Sequence, residues 1–402
     1  TAGVNAYIHQ LSKAEIPVEY KLIGYTPEDW TPLKCALLMK YMAKDLTYYD
    51  VDVENTNALR KFGEEAYKKM YPDFPVGLDP IIPNGTKWNF KSVDSFSTKK
   101  TTSNLQAVLY KNPYKQFYSN PNYGSNNWCI NGSKTASGKP ILCGDPHLGL
   151  NLPSIWYEVQ LSCPGLNVYG VTIPGAPGVI IGHNDSIAWS VTNSERDVIN
   201  NYAVEYDAKR TSYKLGNDFV PFEYDVQTFK IRDGKNLVDS IKMTKIGAVV
   251  YDENFGESDD KKHLATYWRA EDPSNDLMTF YYLNKAKNHQ DYLQALNYYA
   301  CPGQNFIYAD ASNNIAIRQQ GNFMLRTNYG DGSFITPLAE VNIDKLKARI
   351  PNEQNPYILN PERNFCASAN QNPVDQNYPY YTNGHYENYR NRVINEVLTN
   401  AT

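Results

Sequence analysis

Residues 120–132 read NPNYGSNNWCING: small polar residues run through Gly124-Ser125 into one tryptophan and a short apolar pair. Asn131-Gly132 predicts a hairpin turn, with KPILCGD at 139–145 as the returning strand. Tyr123-Gly124-Ser125 is readable as one more loop in a chain with many Asn, Pro and Gly loops. It is also where the character of the sequence changes, and a cut there has chemical consequences. A Ser125 freed from Gly124 carries a hydroxyl and an α-amine on one residue. Such an amine, with a pKa of about 8, accepts a proton near neutral pH. It therefore activates its own hydroxyl without a histidine–aspartate pair. Gly124 leaves the scissile carbonyl sterically open.

Upstream of this point the chain is helical. GYTPEDWTPLKCALLMKYMAKDL (24–46) offers Thr26 as an N-cap, Pro27 at the first helical position and Asp29 as a capping-box carboxylate, with a fresh start available at Pro32. Leu37, Leu38, Tyr41, Met42 and Leu46 then recur at helical spacing. ENTNALRKFGEEAYKKMYP (54–72) predicts a second amphipathic helix that ends before Pro72. Residues 73–124 carry Pro, Gly, Asn, Ser and Lys without sustained periodicity. A structureless stretch of about fifty residues marks a functional, processed or disordered segment.

Downstream, short strands follow one another between Gly, Pro and Asn turns: NWCI, KPILCG, IWYEVQLS, NVYGVTI, GVIIG and IAWSVT, then KIGAVVYD and HLATYWRA. Helices are predicted over 275–299, a hairpin at NFIYADASNNIAIRQQG (305–321) and a last helix around NYRNRVINEVL (388–398). Helices, many strands, then helices predict a layered α+β protein.

Composition excludes several classes. With 402 residues the chain buries a large core, and a net charge of −4 with scattered Lys and Arg leaves no basic stripe for phosphates. Apolar runs such as GVTIPGAPGVIIG are short and broken by Gly and Pro, which argues against a membrane span. The six cysteines form no CxxC pair; Cys129 and Cys143 fall on the two predicted hairpin strands, with buried free thiols the default and a disulfide between them the alternative. The start, TAGVNAYIHQL, reads as mid-helix, so an export signal is expected to be missing from this stretch. There is no GxSxG, HExxH, P-loop or EF-hand pattern. His147 in GDPHLG has no second histidine at ligand spacing.

GSNNWCINGSKTASGKPILCGDPHLGLNLPSIWYEVQL (124–161) followed by GVTIPGAPGVIIGHNDSIAWSVTN (170–193) strongly resembles the penicillin acylase family of N-terminal-nucleophile hydrolases. The resemblance continues through GVNAYI, GYTPEDWTP, AVVYD, QNFIYADASNNIAIRQQG, SANQNP and YRNRV, in the family's order over nearly the whole chain. It implies a precursor that cuts itself, loses a spacer and becomes a two-chain, four-layer αββα sandwich, here truncated at both ends. The parts are then 1–72 from the small chain, 73–124 a spacer ending at Gly124-Ser125, and 125–402 the large chain. An N-acyl amide substrate, a periplasmic or secreted location and no organic cofactor are implied with it.

By motif, Ser125 takes the nucleophile's place and its amine the base's. His147 is expected to hydrogen-bond and orient the serine. Asn193 in WSVTN supplies a backbone N–H to the oxyanion hole and Asn370 in SANQNP a side-chain N–H, while Arg392 in YRNRV supports Asn370 and the amine. Met42, Leu46, Leu148 and Ile181 are expected to line the acyl pocket; the last three replace aromatic walls with aliphatic ones. Asp197, the Ile199 carbonyl and Asn200 in ERDVIN match part of a calcium site, with Glu54 or Asp52 as the helix carboxylate. Asn200 departs from the pattern, which has a carboxylate there, and fewer charges weaken binding of a hard cation. The rival reading is an unprocessed, inactive homologue that binds peptide or glycan through its 33 tyrosines.

Overall fold

The computed structural model describes residues 1–47, 51–93, 124–232, 234–251, 263–326 and 331–401. Helices α1 (Ala2–Gln10), α2 (Val18–Ile23), α3 (Pro32–Thr47), α4 (Val51–Phe62) and α5 (Glu64–Met70) come first. The helix expected from Thr26 begins instead at Pro32. The Trp30 N–H donates to Asn5 Oδ1 at 2.7 Å and Asn5 Nδ2 returns to the Trp30 carbonyl at 3.0 Å, which ties the preceding segment to α1. Pro32 then serves as the first helical residue, where its missing N–H costs nothing. The single helix predicted over 54–72 is broken at Gly63, whose φ of +79° is left-handed and separates α4 from α5.

Strands follow: β1 (Gly124–Ile130), β2 (Ile141–His147), β3 (Tyr157–Cys163), β4 (Leu166–Thr172), β5 (Ile181–Asn184), β6 (Ile187–Asn193), β7 (Ile199–Ala203), β8 (Ser212–Leu215), β9 (Asp218–Pro221), β10 (Glu223–Lys230), β11 (Asn236–Thr244), β12 (Gly247–Tyr251) and β13 (Leu264–Trp268). After α6 (Asp276–Leu283) and α7 (His289–Leu296) come β14 (Gln304–Asp310), β15 (Ile315–Gln320), β16 (Thr336–Pro337), α8 (Ile343–Lys347), β17 (Tyr357–Leu359), β18 (Phe365–Ser368) and α9 (Arg390–Asn400). Among the described residues they form a three-stranded sheet β18-β1-β2, a seven-stranded sheet β17-β15-β14-β6-β5-β4-β3, a six-stranded sheet β10-β11-β12-β13-β7-β16 and the β8-β9 hairpin.

Alternation along the strands assigns two faces to each sheet. From β14, Phe306 and Tyr308 pack with Trp189 against Phe280, Leu283, Tyr292 and Leu296 of α6 and α7. Ile307 and Ala309, one residue out of phase, pack instead with Cys129 and Cys366 of the three-stranded sheet. The outer face of that small sheet, Ile130, Phe365 and Ala367, packs against Leu398 of α9. The large sheet thus meets helices on one face and the small sheet on the other, and β14 is buried on both faces along its whole length.

Two further sequence expectations change, at the hairpin turn and at Cys129. Asn131 and Gly132 do not close a two-residue hairpin, because both are tied to Asn313: Asn131 Nδ2 to its carbonyl at 2.8 Å, and the Gly132 N–H to its Oδ1 at 2.7 Å. Residues 131–140 therefore form a longer link with a short helical turn at Gly132–Lys134. Cys129 lies opposite Cys366 rather than Cys143, which faces Trp128, and all six cysteines are free thiols. The spacer expected from residue 73 is packed over its first part. Ile81 and Ile82 are buried, and their N–H groups bond the Asn372 and Pro373 carbonyls at 3.0 and 2.9 Å. Residues 94–123 of that expected spacer lie outside the described residues.

Candidate active site

The phase of β1 turns Ser125 and Asn127 toward the large sheet and Trp128 and Ile130 toward α9, leaving Ser125 only 6% exposed. With Gly124 attached, the Ser125 nitrogen is a peptide N–H. It donates to Asn370 Oδ1 at 2.9 Å. Asn370 follows the end of β18 with φ +65°, a left-handed conformation that asparagine tolerates better than most side chains. Its Oδ1 also accepts from Arg390 Nη2 at 2.8 Å, and its Nδ2 donates to the Asn193 carbonyl at 2.8 Å. Two donors on one side and one acceptor on the other fix the amide's orientation.

Arg390 opens α9 and closes the arrangement. Its Nη1 donates to the Ser125 carbonyl at 2.9 Å and to Asn126 Oδ1 at 2.7 Å, while Nε bonds the Glu387 carboxylate. Burial works to raise the Glu387 pKa, but its bonds from Arg390 outweigh that and hold it below the ordinary carboxylate range. The arginine that supports Asn370 is therefore Arg390, not Arg392. Two residues along a helix turn about 200°, so only one of the pair can face the serine. The Arg392 guanidinium lies instead beside Gly77.

Asn193 ends β6. The Ser194 N–H bonds the Gly303 carbonyl at 3.0 Å, so Asn193 and Gln304 form a non-hydrogen-bonded pair and the Asn193 N–H points away from β14. The Asn193 side chain donates to the Leu46 carbonyl at 2.8 Å, fastening the end of α3 beside the site. His147 stands opposite Gly124 in the β1–β2 ladder. Its Nδ1 lies 3.1 Å from the Asp145 carbonyl and 3.2 Å from the Asp145 carboxylate. A Cβ on Gly124 would lie 2.9 Å from both His147 Nε2 and Arg390 Nη2, so a side chain there would have to push these two side-chain ends aside. His147 thus flanks the Gly124–Ser125 bond.

The four expected acyl-pocket residues lie on three parts of the chain. Met42 and Leu46 are one turn apart on α3, Leu148 follows His147, and Ile181 of β5 borders the helix-side core and approaches Gly144 of β2. A surface cleft of about 490 Å³ at Gly85–Phe90 and Asn377–Pro379 includes none of them.

Sequence reasoning missed a buried polar network behind the serine. Asn305 Nδ2 donates to Thr192 Oγ1 at 3.1 Å, Ser368 Oγ at 3.0 Å and the Asn193 carbonyl at 3.2 Å. Gln319 Nε2 donates to Asn305 Oδ1, and Arg196 Nη1 to Gln319 Oε1, at 3.2 and 3.3 Å. Asn127 Nδ2 reaches the Asn305 carbonyl at 3.3 Å. The available signal was a polar residue at an inward position of each strand. Cys129, further along β1, is no rival nucleophile: burial, with Cys366 beside it, pushes its thiol up.

Of the expected metal ligands, Asp197 and Asn200 come together, and the Asp52 carboxylate, buried on α4, accepts the Asn201 N–H at 2.9 Å. Glu54, two residues on, is exposed on the other face of the helix. Among the described residues no group of three or more His, Cys, Asp or Glu side chains is placed to hold a metal ion. No helix among them is long and apolar enough to cross a membrane.

The sequence profile described as penicillin amidase matches residues 1–402. An acyl-homoserine lactone acylase, QuiP, of Pseudomonas syringae pv. tomato is 26% identical over 94% of this chain and 45% of its own length. Penicillin acylase 2 proenzyme of Pseudomonas sp. (strain SE83) is 29% identical over 62% of this chain and 32% of its own, and penicillin G acylase of Escherichia coli 23% over 94% and 49%. The chain spans about half or less of the length of these curated relatives. The structure of a thermostable penicillin G acylase from Alcaligenes faecalis matches with TM-score 0.56 over 65% of this chain and 47% of that one, at 20% identity, and so shares its fold. With the profile matching from end to end, the chain belongs to the penicillin amidase family.

Proposed function

We propose that this chain is the core of a self-processing amidohydrolase that cleaves N-acyl amides through Ser125. The observation that carries the reading is the hold on the Ser125 nitrogen, bonded to Asn370 Oδ1, which Arg390 braces from the other side. The peptide N–H seen here stands in for the α-amine of the cut protein. In maturation the Ser125 hydroxyl adds to the Gly124 carbonyl, the acyl group shifts from nitrogen to oxygen, and water resolves the ester. Glycine at 124 keeps that carbonyl approachable between His147 and Arg390.

In turnover the free amine takes the proton from Ser125 Oγ as that oxygen attacks the substrate carbonyl. The second N–H of Asn370 Nδ2 and the backbone N–H of Asn193 stabilise the oxyanion. The protonated amine then passes its proton to the leaving nitrogen, and water hydrolyses the acyl-enzyme ester. The stacked helix–sheet–sheet–helix layers are, in this reading, the αββα sandwich of N-terminal-nucleophile hydrolases. The mature protein is a heterodimer of small and large chains in the periplasm or outside the cell. Because Ile81 and Ile82 are core residues, we place the start of the removed spacer beyond them.

The names of the relatives suggest the substrate class: an N-acyl homoserine lactone, a β-lactam side chain or an acylated peptide. Leu46, Leu148 and Ile181 offer no edge-to-face partner to an aromatic ring, whereas each buried methylene of a fatty chain gains about 0.8 kcal/mol. In a panel of N-acyl amides assayed with the full-length protein, medium and long aliphatic acyl groups should turn over faster than phenylacetyl. Equal or faster phenylacetyl turnover contradicts the aliphatic pocket, and no turnover of any member contradicts the amidohydrolase.

A further inference from the structure

We propose that the guanidinium of Arg326 takes the place of a metal ion at the Asp197–Asn200 turn, so that this protein carries its own cation and its stability does not depend on calcium. Arg326 Nη1 donates to Asp197 Oδ2 at 2.6 Å, and Nη2 donates to Asn200 Oδ1 at 3.0 Å. These are two of the side chains expected to ligate calcium, and one planar cation bridges them. Backbone and side-chain N–H donors occupy more of the Asp197 carboxylate. Asp197 Oδ1 accepts the Ile199 N–H at 3.0 Å, and Asp197 Oδ2 accepts Asn383 Nδ2 at 2.9 Å.

A calcium ion needs six to eight oxygens at about 2.3–2.6 Å. Here the side-chain oxygens of Asp197 and Asn200 already face N–H donors. The space is filled too. Gly332 lies with φ +79° against the guanidinium, and a Cβ there would come within 2.4 Å of Arg326 Cζ. Asn200 Nδ2 holds that backbone in place through the Gly332 carbonyl at 2.8 Å.

The charge count fits the same substitution. An amide at position 200 in place of a carboxylate removes one negative charge, which suits a monovalent guanidinium rather than a divalent ion. The Asp197 and Arg326 side chains are 5% and 4% exposed, so the pair depends on the hydrogen bonds that surround it. A guanidinium keeps its charge at any pH at which the protein is folded. The charge is permanent. It also has reach: the Asp197 N–H bonds the Asn383 carbonyl at 3.0 Å, so the turn anchors the segment that leads to Glu387 and Arg390.

The test is thermal unfolding of the full-length protein in excess chelator and in millimolar calcium. The wild type is expected to unfold at the same temperature in both. The double variant Arg326→Ala/Asn200→Asp, which removes the internal cation and restores the carboxylate, should melt lower and regain at least a few degrees with calcium alone. If that variant does not fold, equilibrium dialysis of the wild type against calcium decides by itself, with no bound ion expected. A wild-type midpoint that falls by several degrees in chelator, or one calcium retained per wild-type chain, overturns the proposal.

Discussion

Between the small and large sheets, the inward residues near Ser125 are Asn127, Thr192, Asn305, Gln319 and Ser368, joined by hydrogen bonds. A short way along the same strands the inward residues are Cys129, Cys366, Ile307, Ala309, Ile315 and Ile317, packed as an apolar core. One end of the interface is held by directional bonds and the other by exclusion of water. Apolar packing is non-directional and sets how firmly the sheets adhere. A hydrogen-bonded polar network fixes where its members sit, at high cost if one is lost. The division places Ser125 where position matters and leaves most of the adhesion to the other end.

Variants at the two ends should therefore fail in different ways. Ser125→Ala should have the largest effect: no turnover and a single uncut chain on a denaturing gel. Asn370→Ala should lower kcat by roughly 10²–10³, the effect of losing one oxyanion donor. Asn370→Gly relieves the left-handed backbone yet lacks the amide, so it should be as slow as Ala while melting higher. Ile317→Ala, at the apolar end, should cost about 2–5 kcal/mol in denaturant unfolding and leave kcat per folded molecule unchanged. A large kcat loss there would erase the distinction between the ends. The smallest effect belongs to Arg392→Ala, whose turnover should match wild type, whereas Arg390→Ala should slow it. Reversed outcomes for the two arginines would restore Arg392 as the supporting residue.

Much of the scaffold was legible because the inner strands are short apolar runs set off by Gly, Pro and Asn; β1 to β4, β6 and the β14–β15 hairpin fall where those runs predict, while β5 begins three residues after the run GVIIG does. The β10–β11 hairpin was not, since β10 is exposed throughout and carries no burial pattern. Ser125 stood out through the chemistry of a freed terminal serine, and Asn370 through its motif. The polar network did not, because Asn305 and Gln319 sit in strands buried on both faces, where local alternation is masked. YRNRV contains two arginines and the start of α4 two carboxylates. Choosing Arg390 over Arg392, and Asp52 over Glu54, takes the rotational phase of a helix, which a motif does not contain. Arg326 was invisible for a different reason: it meets Asp197 from far along the chain, and only the fold brings that charge to the turn.

The central claim is that the nucleophile is the first residue of a chain the protein makes by cutting itself. Terminal sequencing of the large fragment from active, purified protein tests this directly. The account predicts a single start at Ser125, with Gly124 absent from that fragment. An active enzyme whose large fragment begins at any other residue, or whose chain is uncut, would contradict it.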